Sequence, residues 1–160
     1  MPINKNQLSD LIERSLKAAD LYSHSALNLL LMTAAQESHM TYLRQLHNGP
    51  ALGIFQMEPA THDDIWSNFL RFKPSLGESI LNISGLGFGP DVSSLEYNLV
   101  YAALMARMQY LRRPEPLPAA DDIKGFAEYW KQWYNTPKGA GTVSEAVRNY
   151  QRFILGQGVE

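Results

Sequence analysis

The residue best suited to chemistry is a glutamate at the end of an apolar segment. Residues 26–37 are apolar almost throughout and finish on Glu37. A helix with this pattern belongs in the middle of a core, so its last carboxyl group would lose hydration and would also face the negative end of the helix dipole. Both effects raise the pKa of Glu37. A carboxyl group that is still protonated near neutral pH can act as a general acid. The alternative is a surface glutamate just past the end of the helix.

Four short motifs follow one another over most of the chain, from about residue 26 to residue 150. In chain order they are Glu37-Ser38; residues 53–61 (Gly-Ile-Phe-Gln-Met-Glu-Pro-Ala-Thr), preceded by Gly49-Pro50-Ala51; Asn98 with Ala102 and Tyr110; and Trp133-Tyr134-Asn135. The set resembles the catalytic core of the soluble lytic transglycosylases, relatives of goose-type lysozyme. In the second motif Gly53, Gln56, Pro59 and Thr61 stand at the family's positions.

The resemblance implies a fold and an activity. The fold is mostly α and lysozyme-like, a single domain over residues 1–160 with a central buried helix that ends at the catalytic glutamate, followed by a small loop or strand region. The implied enzyme degrades peptidoglycan by cleaving the β-1,4 bond between N-acetylmuramic acid and N-acetylglucosamine. As a lytic transglycosylase, it would use Glu37 to protonate the glycosidic oxygen and then to accept the proton of the sugar's 6-hydroxyl, which closes a 1,6-anhydro ring.

The resemblance also implies which residues bind the substrate. Gln56 would hydrogen-bond the sugar and Ser38 would assist, although a loop amide such as Gln56 often bonds backbone instead. Tyr134 would bond or orient Glu37 through its hydroxyl, or would be a core aromatic with its hydroxyl satisfied. Asn135 would mainly help the turn. The substrate-binding set is therefore Ser38, Gln56, Glu58, Tyr134 and Asn135.

Two departures from the family pattern leave the outcome of the reaction open. Glu58 stands where the family has an apolar residue, and residues 136–139 (Thr-Pro-Lys-Gly) replace a small residue and glycine. If Glu58, Asp63 or Asp64 lies across the cleft from Glu37, it could activate water, and the enzyme would be a hydrolytic muramidase. The two aspartates equally suit the first turns of a helix, where negative charge is stabilised.

Composition narrows the remaining classes. The chain has 160 residues, a net charge of −2 and no cysteine, which favours one domain, excludes disulfides and argues against a general nucleic-acid binder. The histidines have no recognisable ligand spacing, so we expect no metal and no cofactor. Residues 85–89 read Gly-Leu-Gly-Phe-Gly but lack the context of a phosphate loop. An inactive glycan-binding or structural virion module is the alternative from another class.

The ends and apolar stretches predict where the chain acts. No basic segment followed by an apolar one opens the sequence, and residues 26–35 are too short to span a bilayer. We therefore expect synthesis in the cytoplasm without a signal peptide, no stable membrane insertion, and action on the cell wall or periplasm. With the resemblance, this suggests a phage endolysin or virion component that acts as a monomer on glycan strands, with virion or lysis proteins as candidate partners.

Periodicity predicts six helices and two irregular stretches. The helices are expected near residues 5–20, 26–37, 59–72, 95–112, 122–133 and 142–155. Ser23 or Ser25 could cap the second helix and Ser93 or Ser94 the fourth. Residues 40–58 are expected to form loop or short strands, and residues 73–94, rich in glycine, serine, proline and asparagine, a long loop with short helical pieces. Trp130 and Trp133 are expected in the core, with at most one or two aromatics of their helix facing the cleft.

Overall fold

The fold, taken from a computed structural model that describes residues 1–158, is mostly helical and forms one compact domain. Within these described residues, eight α-helices follow in chain order: α1 (Lys5–Ala18), α2 (His24–Ser38), α3 (Pro59–Asn68), α4 (Pro74–Ser84), α5 (Ser94–Tyr97), α6 (Leu99–Leu111), α7 (Ile123–Trp130) and α8 (Val143–Phe153). Short 3-10 turns occur at Leu46–Asn48 and Leu70–Phe72, and a π-helical turn at Lys131–Asn135 continues α7.

Two hydrophobic clusters share α6. The first cluster joins α1, α2, α7 and α8 and uses Ala102, Ala106 and Tyr110 of α6. The second joins α3, α4 and α5 to the other face of α6, through residues such as Leu104 and Met108. All ten residues from 101 to 110 are therefore buried. Both sides of this helix are covered by the core.

Helix α2 is buried as its sequence predicts. Residues 29–35 are buried without interruption, and α1, α6, α7 and α8 pack around the helix. The Ser23 hydroxyl caps it by accepting from the Ala26 amide at 3.0 Å, which chooses Ser23 over Ser25. The helix ends at Ser38 because His39 and Met40 adopt left-handed φ values of 50° and 54°. This tight reversal leaves Glu37 in the last turn, at the edge of the core.

The segment between α2 and α3 is mostly irregular, as expected. Its regular pairing is limited to isolated antiparallel bridges, Arg44 with Leu52 and Leu52 with Met57. Between the paired residues Leu52 and Met57, residues 53–56 form a tight turn. The backbone N–H of Gln56 closes this turn by donating to Gly53 O at 3.0 Å. Gly53 has a φ of +77°, and a Cβ there would lie 1.9 Å from Leu95 O. The 53–56 turn therefore packs directly on α5, and only glycine fits at its first position.

The prediction for residues 73–94 was wrong in part. An 11-residue helix, α4, fills the first half of that segment. Pro74 begins it, where a missing amide proton costs nothing, and Gly85 ends it with a left-handed φ of 73°. Residues after Gly85 remain irregular up to α5. In residues 1–158, no helix has the length and apolarity needed to cross a bilayer.

Candidate active site

A cleft of about 700 Å³ lies beside the end of α2, and Glu37 is one of the residues that line it. Its walls come from four parts of the chain: the end of α2 and the loop after it, the segment from residue 51 to the first turn of α3, Gln109 of α6, and residues 134–141. The lining includes every residue of the predicted site: Glu37, Ser38, Gln56, Glu58, Tyr134 and Asn135. The fold thus brings together side chains that are nearly 100 positions apart in sequence.

Burial makes the carboxyl group of Glu37 unusual. The residue is partly open to the cleft, but protein atoms surround the carboxyl group closely enough to raise its pKa from 4.5 to about 7. Loss of hydration is the main cause, and a hydrogen bond from Trp130 acts in the opposite direction. A group with this pKa carries its proton for a large part of the time at neutral pH and can also exist as the base.

Buried tyrosine side chains lie near Glu37. The rings of Tyr110 and Tyr134 lie 5.4 Å apart, and the ring of Tyr129 lies 5.6 Å from that of Tyr110. Tyr110 shares a buried hydrogen bond with Thr33 at 2.8 Å, one turn before Glu37 on α2. Burial raises the pKa of the Tyr110 and Tyr134 hydroxyls well above the ordinary value, and the nearby Glu37 charge adds to this. These two hydroxyls therefore stay uncharged, and their surroundings solvate a charge poorly.

The direct partner of Glu37 is Trp130, not the predicted Tyr134. The Trp130 Nε1 donates to Glu37 Oε1 at 2.8 Å from the end of α7. Tyr134 instead donates its hydroxyl proton to Phe55 O at 2.7 Å. The π-helical turn explains the difference, since it widens the helix after Trp130 and carries Tyr134 toward the 53–56 turn. The one clue in the sequence is spacing, because Trp130 lies four positions before Tyr134 and so on nearly the same helical face.

Three predicted site residues hold the 53–56 turn in place. Gln56 Nε2 donates to Gly53 O at 2.8 Å. The next carbonyl, of Ile54, accepts from Ser38 Oγ at 2.6 Å, and the one after it, of Phe55, accepts from Tyr134. Three successive carbonyl oxygens are thus satisfied by side chains of the cleft, and the turn is fixed beside Glu37. Ser38 is buried, and its hydroxyl proton is engaged within the chain.

The acidic residues after Glu37 separate into different environments. Glu58 lines the cleft, is exposed, and stands just before α3 with no side-chain capping bond. Asp63 bonds His62 Nδ1 at 2.9 Å outside the cleft lining. Asp64 pairs with Arg112, which also donates to Gln109 Oε1. Glu58 is therefore the carboxylate of this group that shares the cleft with Glu37.

A lysine organises the opposite wall of the cleft. The Lys131 Nζ donates to Asn135 Oδ1 at 2.8 Å, to Gly139 O at 2.8 Å and to Gly141 O at 2.6 Å. These contacts hold residues 136–141, called here the 136–141 loop, in a compact conformation. Asn135 therefore stabilises this turn, a role that the sequence predicted, and it also lines the cleft. Lys131 was not anticipated, because nothing in its sequence context distinguishes it from a surface lysine.

Backbone strain concentrates around the cleft. Seven non-glycine residues in residues 1–158 have a positive φ, and four of them line the cleft: His39, His47, Gln56 and Thr136. Thr136, at φ 77° and ψ 150°, occupies a region that β-branched residues rarely adopt. Strained residues that cluster in this way point to a functional site, because the surrounding structure must hold them.

The cleft has the parts of an acid–base site. Within residues 1–158 no group of three or more histidine or acidic side chains has the arrangement of a metal site. The chemistry that the cleft residues themselves offer is proton transfer at Glu37 next to a bound polar ligand. Comparisons of the chain with protein-family models, with curated proteins and with solved structures find no match.

Proposed function

We propose that this protein cleaves the glycan strands of bacterial peptidoglycan, with Glu37 as its catalytic acid and base. The observation that carries the proposal is the carboxyl group of Glu37, of pKa about 7, in the lining of a cleft of about 700 Å³. The motif resemblance to soluble lytic transglycosylases supports the choice of substrate. In this proposal the helical domain is lysozyme-like, with α2 as the central helix that ends at the catalytic glutamate.

The proposed reaction is a lytic transglycosylation in two proton transfers. Protonated Glu37 gives its proton to the oxygen between N-acetylmuramic acid and N-acetylglucosamine, and the bond from that oxygen to the muramic C1 breaks. The substrate's N-acetyl oxygen stabilises the positive charge at C1. Glu37, now a carboxylate, takes the proton of the muramic 6-hydroxyl while the 6-oxygen bonds to C1. The 1,6-anhydro product forms without water, and Glu37 regains its proton.

A hydrolytic muramidase is the second candidate, and one observation favours it. Glu58 lines the same cleft as Glu37 and makes no side-chain capping bond to α3. In inverting glycosidases, a second carboxylate activates a water molecule for attack at C1. The product would then carry a free reducing end instead of an anhydro ring.

Mass spectrometry of the soluble fragments distinguishes these reactions. We expect purified peptidoglycan treated with the protein to release fragments lighter by one water than the hydrolytic products, and Glu58→Gln to leave that product unchanged. Free reducing ends that disappear in Glu58→Gln would support the hydrolytic mechanism. Pelleting of the protein with peptidoglycan and no release of fragments would instead favour a glycan-binding module and reject both reactions.

A further inference from the structure

We infer that Trp130 is a positioning residue for Glu37: its indole N–H engages Oε1 and so leaves Oε2 to carry the proton that is transferred. The transfer of this proton rests on the proposed function, whereas the contact between Trp130 and Glu37 does not depend on any substrate. It assigns a task to a residue that the motif resemblance does not include.

The geometry fixes the indole ring on two sides. Trp130 is 1% exposed, and its Nε1 lies 2.8 Å from Glu37 Oε1. On its other side, a Cβ at Gly141 would lie 2.6 Å from Trp130 Cη2, so the 136–141 loop packs directly on the ring. Lys131, the next residue, holds the carbonyls of Gly139 and Gly141. The ring therefore cannot turn away from Glu37 without moving a wall of the cleft.

The chemistry of the contact selects one carboxyl oxygen. An indole N–H is a donor only, and the carbonyl oxygen of a protonated carboxyl group is a better acceptor than its hydroxyl oxygen. When Glu37 is protonated, the contact therefore favours the proton on Oε2. When Glu37 is ionised, the same N–H stabilises the charge, which opposes the effect of burial on the pKa of Glu37. The bond thus persists through both proton transfers and keeps the carboxyl plane in one orientation.

Other titratable groups near Glu37 must be separated from it in any pH experiment. Tyr134 from the π-helical turn and Tyr110 from α6 lie near Glu37, with pKa values raised well above the ordinary value. His39, His47 and Glu58 line the same cleft. An activity profile alone could reflect any of these cleft residues, so the pKa has to be measured on Glu37 itself.

The test compares two Trp→Phe variants by carbon NMR of protein labelled at the glutamate side-chain carboxyl. Trp130→Phe removes the N–H that bonds Glu37. Trp66→Phe is the matched control, because it also removes one indole hydrogen bond, the one from Trp66 Nε1 to the Tyr101 hydroxyl at 3.0 Å. This bond lies in the other hydrophobic cluster. The Glu37 signal is identified by its absence in Glu37→Gln. If Trp130→Phe does not fold, replacing Trp130 by benzothienylalanine removes only the N–H and keeps the ring shape.

We expect the pKa of Glu37 to rise in the Trp130 variants and to stay the same in Trp66→Phe. On peptidoglycan, kcat should fall about tenfold or more while KM changes little, since one charge-assisted hydrogen bond is lost from the reacting group. The alkaline limb of the kcat profile should move to higher pH. A merely structural role would lower the folded fraction without moving this limb.

Two results would count against the inference, and they differ. If the wild type cleaves peptidoglycan but the pKa of Glu37 and the alkaline limb are the same in folded Trp130→Phe, the positioning role is overturned and the proposed function stands. If the wild type releases no fragments, the proposed function fails and the contact has no catalytic role, whatever the titration shows.

Discussion

Glu37 differs from the other carboxylates of the cleft region in what surrounds it. Asp64 has a guanidinium partner in Arg112, and Glu58 is exposed. Glu37 has no cation among its hydrogen-bond partners in residues 1–158; its partner is the uncharged indole of Trp130, and the buried Tyr110 and Tyr134 lie nearby. In such a place the charged form is poorly stabilised, so the protein holds a carboxyl group that is costly when ionised. This cost has consequences for both stability and rate.

The first consequence concerns stability. Below pH 4.5, the ordinary pKa of a glutamate, Glu37 is protonated in both the folded and the unfolded chain. Between pH 4.5 and about 7, only the folded chain holds the proton. The free energy of unfolding therefore falls as pH rises through this window. The full difference corresponds to about 3 kcal/mol above pH 7. We expect Glu37→Gln to be more stable than the wild type by up to that amount at about pH 8, and by much less at about pH 5. Urea unfolding at both values measures it, and an equal difference at both would contradict the burial of the charge.

The second consequence concerns the rate of cleavage. The acid step needs Glu37 protonated, and its pKa is about 7. Activity on peptidoglycan should therefore decline as pH rises through about 7, by about tenfold for each further pH unit once the protonated fraction is small. The control is a folding signal recorded over the same range. Constant activity from neutral to strongly alkaline pH, in protein that stays folded, would remove Glu37 from the role of acid.

At the scale of elements, the 53–56 turn and the 136–141 loop place the cleft walls. The turn is held by side-chain donors to three successive carbonyls and by close packing on α5. The loop is held by one ammonium group, that of Lys131. Both elements therefore depend on single residues, Gly53 and Lys131, that are not themselves reactive.

Gly53 should not tolerate a side chain. Gly53→Ala adds a Cβ that meets Leu95 O at 1.9 Å and also forces alanine to φ +77°. We expect a loss of about 3 kcal/mol or more from the free energy of unfolding, because strain and overlap add. Gly85→Ala is the control, since Gly85 has φ +73° but no atom within 4 Å of an added Cβ; its cost should be about 1 kcal/mol. Similar losses in the two variants would show that the close packing on α5 is unimportant.

Lys131 should matter far more than a surface lysine. Lys131→Met keeps most of the side-chain stem but leaves three oxygens without their donor, and we expect a loss of about 2–3 kcal/mol together with reduced activity. Lys124→Met provides the comparison, because Lys124 makes only an exposed pair with Glu128 at 3.5 Å. That variant should change stability by less than about 0.5 kcal/mol. Thermal unfolding measures the effect on stability, and fragment release measures the effect on activity. Equal results for the two variants would argue against a role of Lys131 in holding the 136–141 loop.

The sequence predicted most helices because their apolar spacing is strong, and it failed where other signals compete. The segment that forms α4 was expected to be loop because of its glycine, serine and asparagine content. Pro74 at its start and Gly85 at its end are nevertheless ordinary helix boundary signals. The six predicted site residues all line the cleft, but most of their bonding partners were not predicted. Ser38 and Tyr134 bond backbone carbonyls, which have no signature in a sequence.

At the scale of the whole molecule, the cleft lies where the two hydrophobic clusters meet. Glu37 belongs to a helix of the first cluster, whereas Met57 and helix α3 belong to the second. Helix α6 is buried between the clusters over ten residues, so the two walls of the cleft are tied through one shared core element. Such sharing was not visible in the sequence, because an all-round apolar helix does not reveal which neighbours cover it.

The most direct test of the account is the release of soluble fragments from purified peptidoglycan by wild type and by Glu37→Gln, with folding of both checked by circular dichroism and thermal unfolding. We expect the wild type to release fragments and the variant to release none, while the variant is folded and at least as stable at neutral pH. Release of fragments by well-folded Glu37→Gln at a rate near that of the wild type would contradict the central claim that Glu37 is the catalytic acid.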